Sequence, residues 1–158
     1  MITAVLVALL VPVVVWMLVL RQIPGPPTPP LAVPSPAPKV SAAEALQKGN
    51  TAYEQQDYTE AMRWFRKAAD QGNADAPLKI GVLYGNGWGV AEDDAEAMRW
   101  FRKAADQGNT GAQVSIGWAY GNGLGVARDN AEAMRWYRKA ADQGNAEAQA
   151  HIKKMKAQ

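Results

Sequence analysis

The chain has 158 residues, a formal net charge of +2 and no cysteine, which excludes disulfides, thiolate metal sites and cysteine nucleophiles. Its one histidine, His151, excludes multi-histidine metal sites and most hydrolase triads. All 15 acidic residues and 15 of the 17 basic ones lie within residues 41–158, so that part is formally neutral and lacks the net basic footprint of a nucleic-acid binder.

The first twenty residues, MITAVLVALLVPVVVWMLVL, carry no charge. At ~1.5 Å per residue, residues 2–20 would span about 28 Å as a helix, close to the thickness of a bilayer core. Pro12 is tolerated in a membrane helix, and Trp16 and Arg21 stand at one end, where interfacial anchors belong. The pattern predicts a transmembrane signal-anchor helix over residues 1–21. A cleaved signal peptide would instead carry a basic leading region, a shorter apolar run and a small-residue cleavage site. Arg21 and Lys39 follow the span and no charge precedes it. By the positive-inside rule this places the rest of the chain in the cytoplasm, but two charges are a weak signal and the orientation stays open.

Residues 22–40, QIPGPPTPPLAVPSPAPKV, hold eight of the ten prolines, a density that precludes helix and sheet. As polyproline II at ~3.1 Å per residue the segment reaches roughly 55–60 Å. It reads as a spacer; the alternative, a ligand for SH3- or WW-type domains, lacks a clear PxxP with a flanking arginine.

Residues 41–158 are a repeat array. AMRWFRKAADQGN occurs at 61–73 and 97–109, and AMRWYRKAADQGN at 133–145. The period is 36, and 25 of 36 positions are identical between residues 74–109 and 110–145. Each unit is therefore one supersecondary element, with units at about 43–73, 74–109 and 110–145 and a capping helix over 146–156. Asp57, Asp93 and Asp129 each precede a glutamate by three residues (Glu60, Glu96, Glu132); this capping-box pattern predicts B helices over about 58–71, 94–107 and 130–143. Ala97, Trp100, Phe101 and Ala104 fall at helical core spacing, which predicts a buried Trp100 whose removal costs ~3–5 kcal/mol. Gly72, Gly108 and Gly144 suit the left-handed residue that ends a helix, and Asn73, Asn109 and Asn145 can cap the next one. The A helices show a face of Ala76, Ile80, Gly81 and Tyr84, repeated as Ala112, Ile116, Gly117 and Tyr120. Lys153 and Lys156 replace the glycine and tyrosine of that face in the last helix, as suits a solvent-facing cap.

The pattern A-x-x-x-[LI]-G-x-x-Y-x-x-G-x-G-V-x-x-D-x-x-x-A-x-x-W-[FY]-x-K-A-A-x-Q-G, followed almost position for position over 76–108 and 112–144, resembles Sel-1-like repeats, relatives of the tetratricopeptide repeat. The first unit lacks the glycine loop and is similar to a plain tetratricopeptide repeat. The resemblance implies an all-α fold, a short right-handed α-solenoid of helical hairpins with the A helices on its concave side, preceded here by the transmembrane helix. It also implies an adaptor role. Bacterial relatives are often exported or associated with the envelope, which leans the repeat domain towards the periplasmic side of a bacterial inner membrane, against the charge signal.

Few residues invite chemistry. The glycine loops at residues 85–89 and 121–125 superficially resemble phosphate-binding loops, but no strand precedes them and their repetition suits a structural turn. Asp93 with Glu96 and Asp129 with Glu132 recur as helix caps rather than as an acid/base pair. His151 reads as a surface histidine without an acid at a catalytic spacing. No catalytic residue, metal ligand, cofactor or small-molecule substrate is expected. Eleven positions differ between the second and third units, seven of them within residues 74–83. The expected site is therefore a partner groove for a protein or peptide formed by Lys79, Val82, Trp88, Gln113, Ser115 and Trp118, with aromatic anchors typical of such surfaces; drift or packing between repeats would also explain the variation. The expected function is a membrane-tethered interaction module. An envelope spacer or assembly subunit is the alternative, and a cell-wall-active enzyme a more remote one, since the disulfide pairs of the cysteine-rich relatives are absent.

Overall fold

The computed structural model describes residues 40–157. The predicted anchor and nearly all of the predicted linker lie outside these residues. Among the described residues no helix is long and apolar enough to cross a membrane.

The described residues form seven helices and no strand: α1 (Ala42–Glu54), α2 (Tyr58–Asp70), α3 (Ala76–Asn86), α4 (Asp94–Asp106), α5 (Thr110–Asn122), α6 (Asn130–Ala141) and α7 (Ala146–Lys156). Each packs on its neighbours in the chain, so α1/α2, α3/α4 and α5/α6 are hairpins stacked in sequence and closed by α7. The first members (α1, α3, α5, α7) are A helices and the second (α2, α4, α6) B helices.

The aspartate caps are as the sequence predicts. The Oδ1 atoms of Asp57, Asp93 and Asp129 accept from the backbone N–H of Glu60, Glu96 and Glu132 at 3.1, 2.8 and 3.0 Å. The reciprocal half of the capping box does not form. The N–H groups of Asp57, Asp93 and Asp129 already donate to Ala52, Tyr84 and Tyr120 carbonyls of the preceding A helix, leaving no orphan donor for the glutamate. The glutamates turn outward instead: Glu60 accepts from Arg63 at 2.7 Å and Trp64 Nε1 at 2.6 Å, and Glu96 from Arg99 at 2.6 Å and Trp100 Nε1 at 2.9 Å. Asn109 and Asn145 cap α5 and α7 with Oδ1. Their amide nitrogens reach back one repeat to Asp75 Oδ1 at 2.8 Å and Thr110 Oγ1 at 3.3 Å, tying successive A helices together.

Within each hairpin a ring of the B helix lies on a glycine of the A helix. A Cβ at Gly49 or Gly81 would stand 2.5 Å from ring carbons of Phe65 or Phe101, and one at Gly117 would stand 2.8 Å from Tyr137. The core is otherwise small-residue packing, with Ala45, Ala61, Ala68, Ala97, Ala112, Ala133 and Ala148 buried around Ile80, Leu83, Met98 and Ile116. Trp64, Trp100 and Trp136 are half-buried rather than core. Their rings carry the Lys67, Lys103 and Lys139 ammonium groups at 5.1, 4.8 and 5.0 Å. The cost expected for a fully buried Trp100 therefore does not apply: a tryptophan held by a surface carboxylate and covered by a lysine leaves no closed cavity when truncated.

The glycine loops dock each hairpin on the one before. Gly89 (φ +71°) and Gly125 (φ +64°) press their backbone on the first turn of α2 and α4; a Cβ would lie 2.6 Å from the Tyr58 carbonyl carbon at the first and would meet the Asp94 carbonyl at the second. Gly85 is different, since a Cβ there meets only Ala97 Cβ at 3.6 Å and Asp94 Oδ1 at 3.9 Å. We expect Gly125→Ala to lower the urea midpoint by the equivalent of at least about 2 kcal/mol, from left-handed strain plus the backbone clash. Gly85→Ala, inside a helix and unobstructed, should be neutral or stabilising by up to about 1 kcal/mol.

Candidate functional site

Two depressions open on the A-helix side of the stack. The first, about 650 Å³, has an apolar floor including Ala97, Met98, Phe101, Val114 and Leu124, and bears Glu92, Asp94 and Glu147. The second, about 720 Å³, is lined by Met134, Tyr137 and Met155 among others, and bears Arg128 and Lys154. They are one site displaced by a single repeat: Gly85, Asn86, Glu92, Asp94, Met98, Phe101 and Trp118 line the first, and residues 36 positions later, Gly121, Asn122, Arg128, Asn130, Met134, Tyr137 and Lys154, line the second. Trp118 and His151 border both, so the two adjoin and together make up the candidate groove.

Gly85 and Gly121 create the openings. In the first hairpin, counting from its ring-bearing Gly49, Tyr53 stands where these glycines stand. Its ring packs against Tyr58, Trp88 and Phe65 at centroid separations of 5.4, 5.9 and 6.5 Å and fills the space. Burial, with the neighbouring Tyr58 hydroxyl second, raises the Tyr53 pKa above the ordinary tyrosine value.

The structure divides the six residues expected to form the groove. Val82, Ser115 and Trp118 meet in the first depression, where Ser115 Oγ donates to the Gly111 carbonyl at 3.1 Å. Trp118 is 51% exposed and is the one large hydrophobic side chain exposed among the described residues. Lys79 lies apart, its ammonium 5.9 Å from the Tyr53 ring centroid. Trp88 is not an exposed loop aromatic: it stacks on Tyr58 at 5.0 Å and 18°, because the glycine loop folds back onto the preceding hairpin. Gln113 is 1% exposed and accepts from Gln143 Nε2 at 2.9 Å, a bond that satisfies a buried amide between α5 and the end of α6. Trp88 and Gln113 therefore hold the scaffold together, and of the two expected aromatic anchors only Trp118 stands free.

His151 also departs from expectation. It is a half-buried wall of the groove, stacked on Tyr137 at 4.7 Å and 3°, with Nε2 3.8 Å from Glu147 Oε1. Sequence reasoning also missed Glu92, Asp94, Phe101 and Arg128. The signal for them was present, because 92/128, 94/130 and 101/137 are among the few positions outside residues 74–83 at which the second and third units differ. Apolar floors beneath charged rims suit recognition of side chains rather than covalent chemistry. Among the described residues no group of His, Asp or Glu side chains is placed to hold a metal ion.

The family model described as Sel1 repeat matches residues 41–73, 74–109 and 110–145. No curated protein matches the chain. Among solved structures the chain is similar to c5321, a protective antigen of uropathogenic Escherichia coli strains displaying an SLR fold, with 41% identity, a TM-score of 0.65 and coverage of 68% of this chain and 24% of that one. It is similar to a Sel1 repeat protein from Oxalobacter formigenes at 36% identity and a TM-score of 0.65, over 68% and 44% of the two chains. Cysteine rich protein B of Helicobacter pylori, at 20% identity, a TM-score of 0.55 and coverage of 69% and 92%, shares the fold. The chain thus spans about a quarter and under half of the first two relatives.

Tyr137, 3% exposed, has its pKa pushed up to about 12 by burial and, secondarily, by the Glu147 carboxylate. A phenol that ionises near pH 10 when unfolded but only near 12 when folded contributes stability below pH 10 that is lost as the pH rises through 12. We expect Tyr137→Phe, which places here the residue already present at positions 65 and 101, to fold normally at pH 7 and to show a shallower fall in stability between pH 10 and 12. Urea titrations across that range check it.

Proposed function

The chain belongs to the Sel1 repeat family, and from that premise we propose that it is a membrane-tethered interaction module that holds a protein or peptide partner in the groove between α3, α5 and α7. Sel1 repeat proteins are generally protein-interaction scaffolds and typically non-catalytic. The observation that carries the reading for this chain is Trp118, a large aromatic exposed where an apolar depression adjoins a more polar one. Aromatic residues flanked by apolar pockets are the usual anchors of protein interfaces. The neutral repeat domain and its small-residue core give no support to a catalytic role, and the module acts here by binding alone.

The tether rests on the sequence of residues 1–21, and the proline-rich residues 22–40 would hold the module away from the bilayer. The localisation proposed is a bacterial inner membrane with the repeats on the periplasmic side. That side is favoured by the envelope association of relatives and opposed by Arg21 and Lys39.

Two experiments test the parts separately. With a photo-crosslinking amino acid at position 118 of the full chain in its host, we expect one foreign protein to be captured, and Trp118→Ala to reduce its affinity at least tenfold without lowering the melting temperature. Capture chiefly of further copies of this chain would mean an assembly subunit. A phosphatase fused after Gln158, active only outside the cytoplasm, should be active; an inactive but expressed fusion overturns the orientation.

A further inference from the structure

Because the two halves of the groove come from near-identical repeats, the repeat rule sets what their charges should be, and the structure shows where they depart. The first depression bears Glu92, Asp94 and Glu147 and no lysine or arginine. The second bears Arg128 and Lys154 and no aspartate or glutamate. Moving one repeat along the chain replaces Glu92 by Arg128, Asp94 by Asn130 and Trp118 by Lys154, so the sign of the rim inverts while the methionine and the ring of the floor recur as Met134 and Tyr137. Among the described residues none of Glu92, Asp94, Arg128 and Lys154 lies within ion-pair distance of an opposite charge. The B-helix glutamates, by contrast, pair within their own helix, as Glu60–Arg63, Glu96–Arg99 and Glu132–Arg135 do.

We infer that the groove is bipolar, and that its partner is a protein segment carrying a cationic side chain for the Glu92/Asp94 end and an anionic one for the Arg128/Lys154 end, with an apolar side chain on Trp118 between them. This inference rests on the groove being the binding site. Charge complementarity commits the surface to such a segment: one with two cations meets Arg128 and Lys154, one with two acids meets Glu92 and Asp94, and either is disfavoured by like-charge juxtaposition. A segment whose two charges stand three residues apart sets them roughly 10 Å apart when extended, at ~3.3 Å per residue, about the width of one helix.

The test uses the full chain in a non-ionic detergent and three end-blocked fluorescent peptides containing Lys-Leu-Leu-Glu, Lys-Leu-Leu-Lys or Glu-Leu-Leu-Glu, read by anisotropy at low salt. We expect the mixed-charge peptide to bind at least fivefold more tightly than either other. The difference should collapse at high salt, since the pairs are exposed. Glu92→Arg should turn the preference towards Glu-Leu-Leu-Glu and Arg128→Glu towards Lys-Leu-Leu-Lys; both positions are exposed, and far-ultraviolet melting confirms folding. Equal binding of the three peptides, no binding of the mixed one, or a ranking unmoved by both variants overturns the inference. Trp118→Ala separates the two levels. If it weakens all three peptides while the charge variants change nothing, the groove is the site but is not bipolar; if it weakens none, the groove itself is wrong.

Discussion

In every hairpin an aromatic ring of the B helix rests on a bare glycine of the A helix: Phe65 on Gly49, Phe101 on Gly81, Tyr137 on Gly117. This contact fixes how closely the two helices approach and at what height they meet, because a ring can sit on a helix backbone only where no Cβ intervenes. With that approach set, small residues suffice for the remaining interface, which explains a core built so largely of alanine. The aspartate caps follow from the same closeness. The A helix ends near enough to the next B helix that its carbonyls take the capping residue's N–H, and the glutamate of the capping motif is released to bind the outward tryptophan and arginine.

The same geometry decides where the groove can exist. One turn beyond the ring-bearing glycine, the A helix passes the edge of the ring. A large side chain at that point covers the ring and closes the surface, as Tyr53 does above Phe65. A glycine there leaves the ring as a floor, as Gly85 does with Phe101; beside Gly121 the ring of Tyr137 is covered instead by the stacked His151. The two glycines of an A helix therefore have different physical meanings. Gly81 is needed for packing, whereas Gly85 could carry a side chain without obstruction and has none. The solenoid keeps an open surface at the one place where filling it would be structurally easy.

The fold was legible in the sequence because its determinants repeat. Asp57, Asp93 and Asp129, the helix-ending Gly72, Gly108 and Gly144, and the A-helix face of Ile80 and Gly81 each act over a few residues, so local rules capture them. The groove was half legible. Variation between repeats picks out Val82, Ser115 and Trp118, which line one depression, but it does not separate a variable residue that faces the groove from one that packs inside the stack. Trp88 stacks on Tyr58 of the first hairpin, and Gln113 is bonded to Gln143 of its own repeat. Both contacts join residues 30 positions apart in the chain, and no local rule contains them. Trp100 is half-buried for a related reason: helical spacing marks a face, but how far that face is covered depends on the next layer, and Trp100 packs on the core with one side while Lys103 and Glu96 cover the rest.

A stack in which each repeat touches only the repeats beside it also separates binding from stability. The side chains at 92 and 94, or at 128 and 130, stand at a loop end and a helix start where the backbone is already held by the aspartate cap and the glycine dock, so their charge can change without disturbing either. The capping helix extends this freedom. Its outer positions, Lys153 and Lys156, serve solubility, while His151 and Lys154 turn to the groove beside Tyr137. This helix thus also contributes to the site, because His151, Lys154 and Met155 form a wall of the second depression. Removing α7 would therefore uncover the hairpin it packs on and at the same stroke take Lys154 from the basic end of the groove, leaving Arg128 alone there.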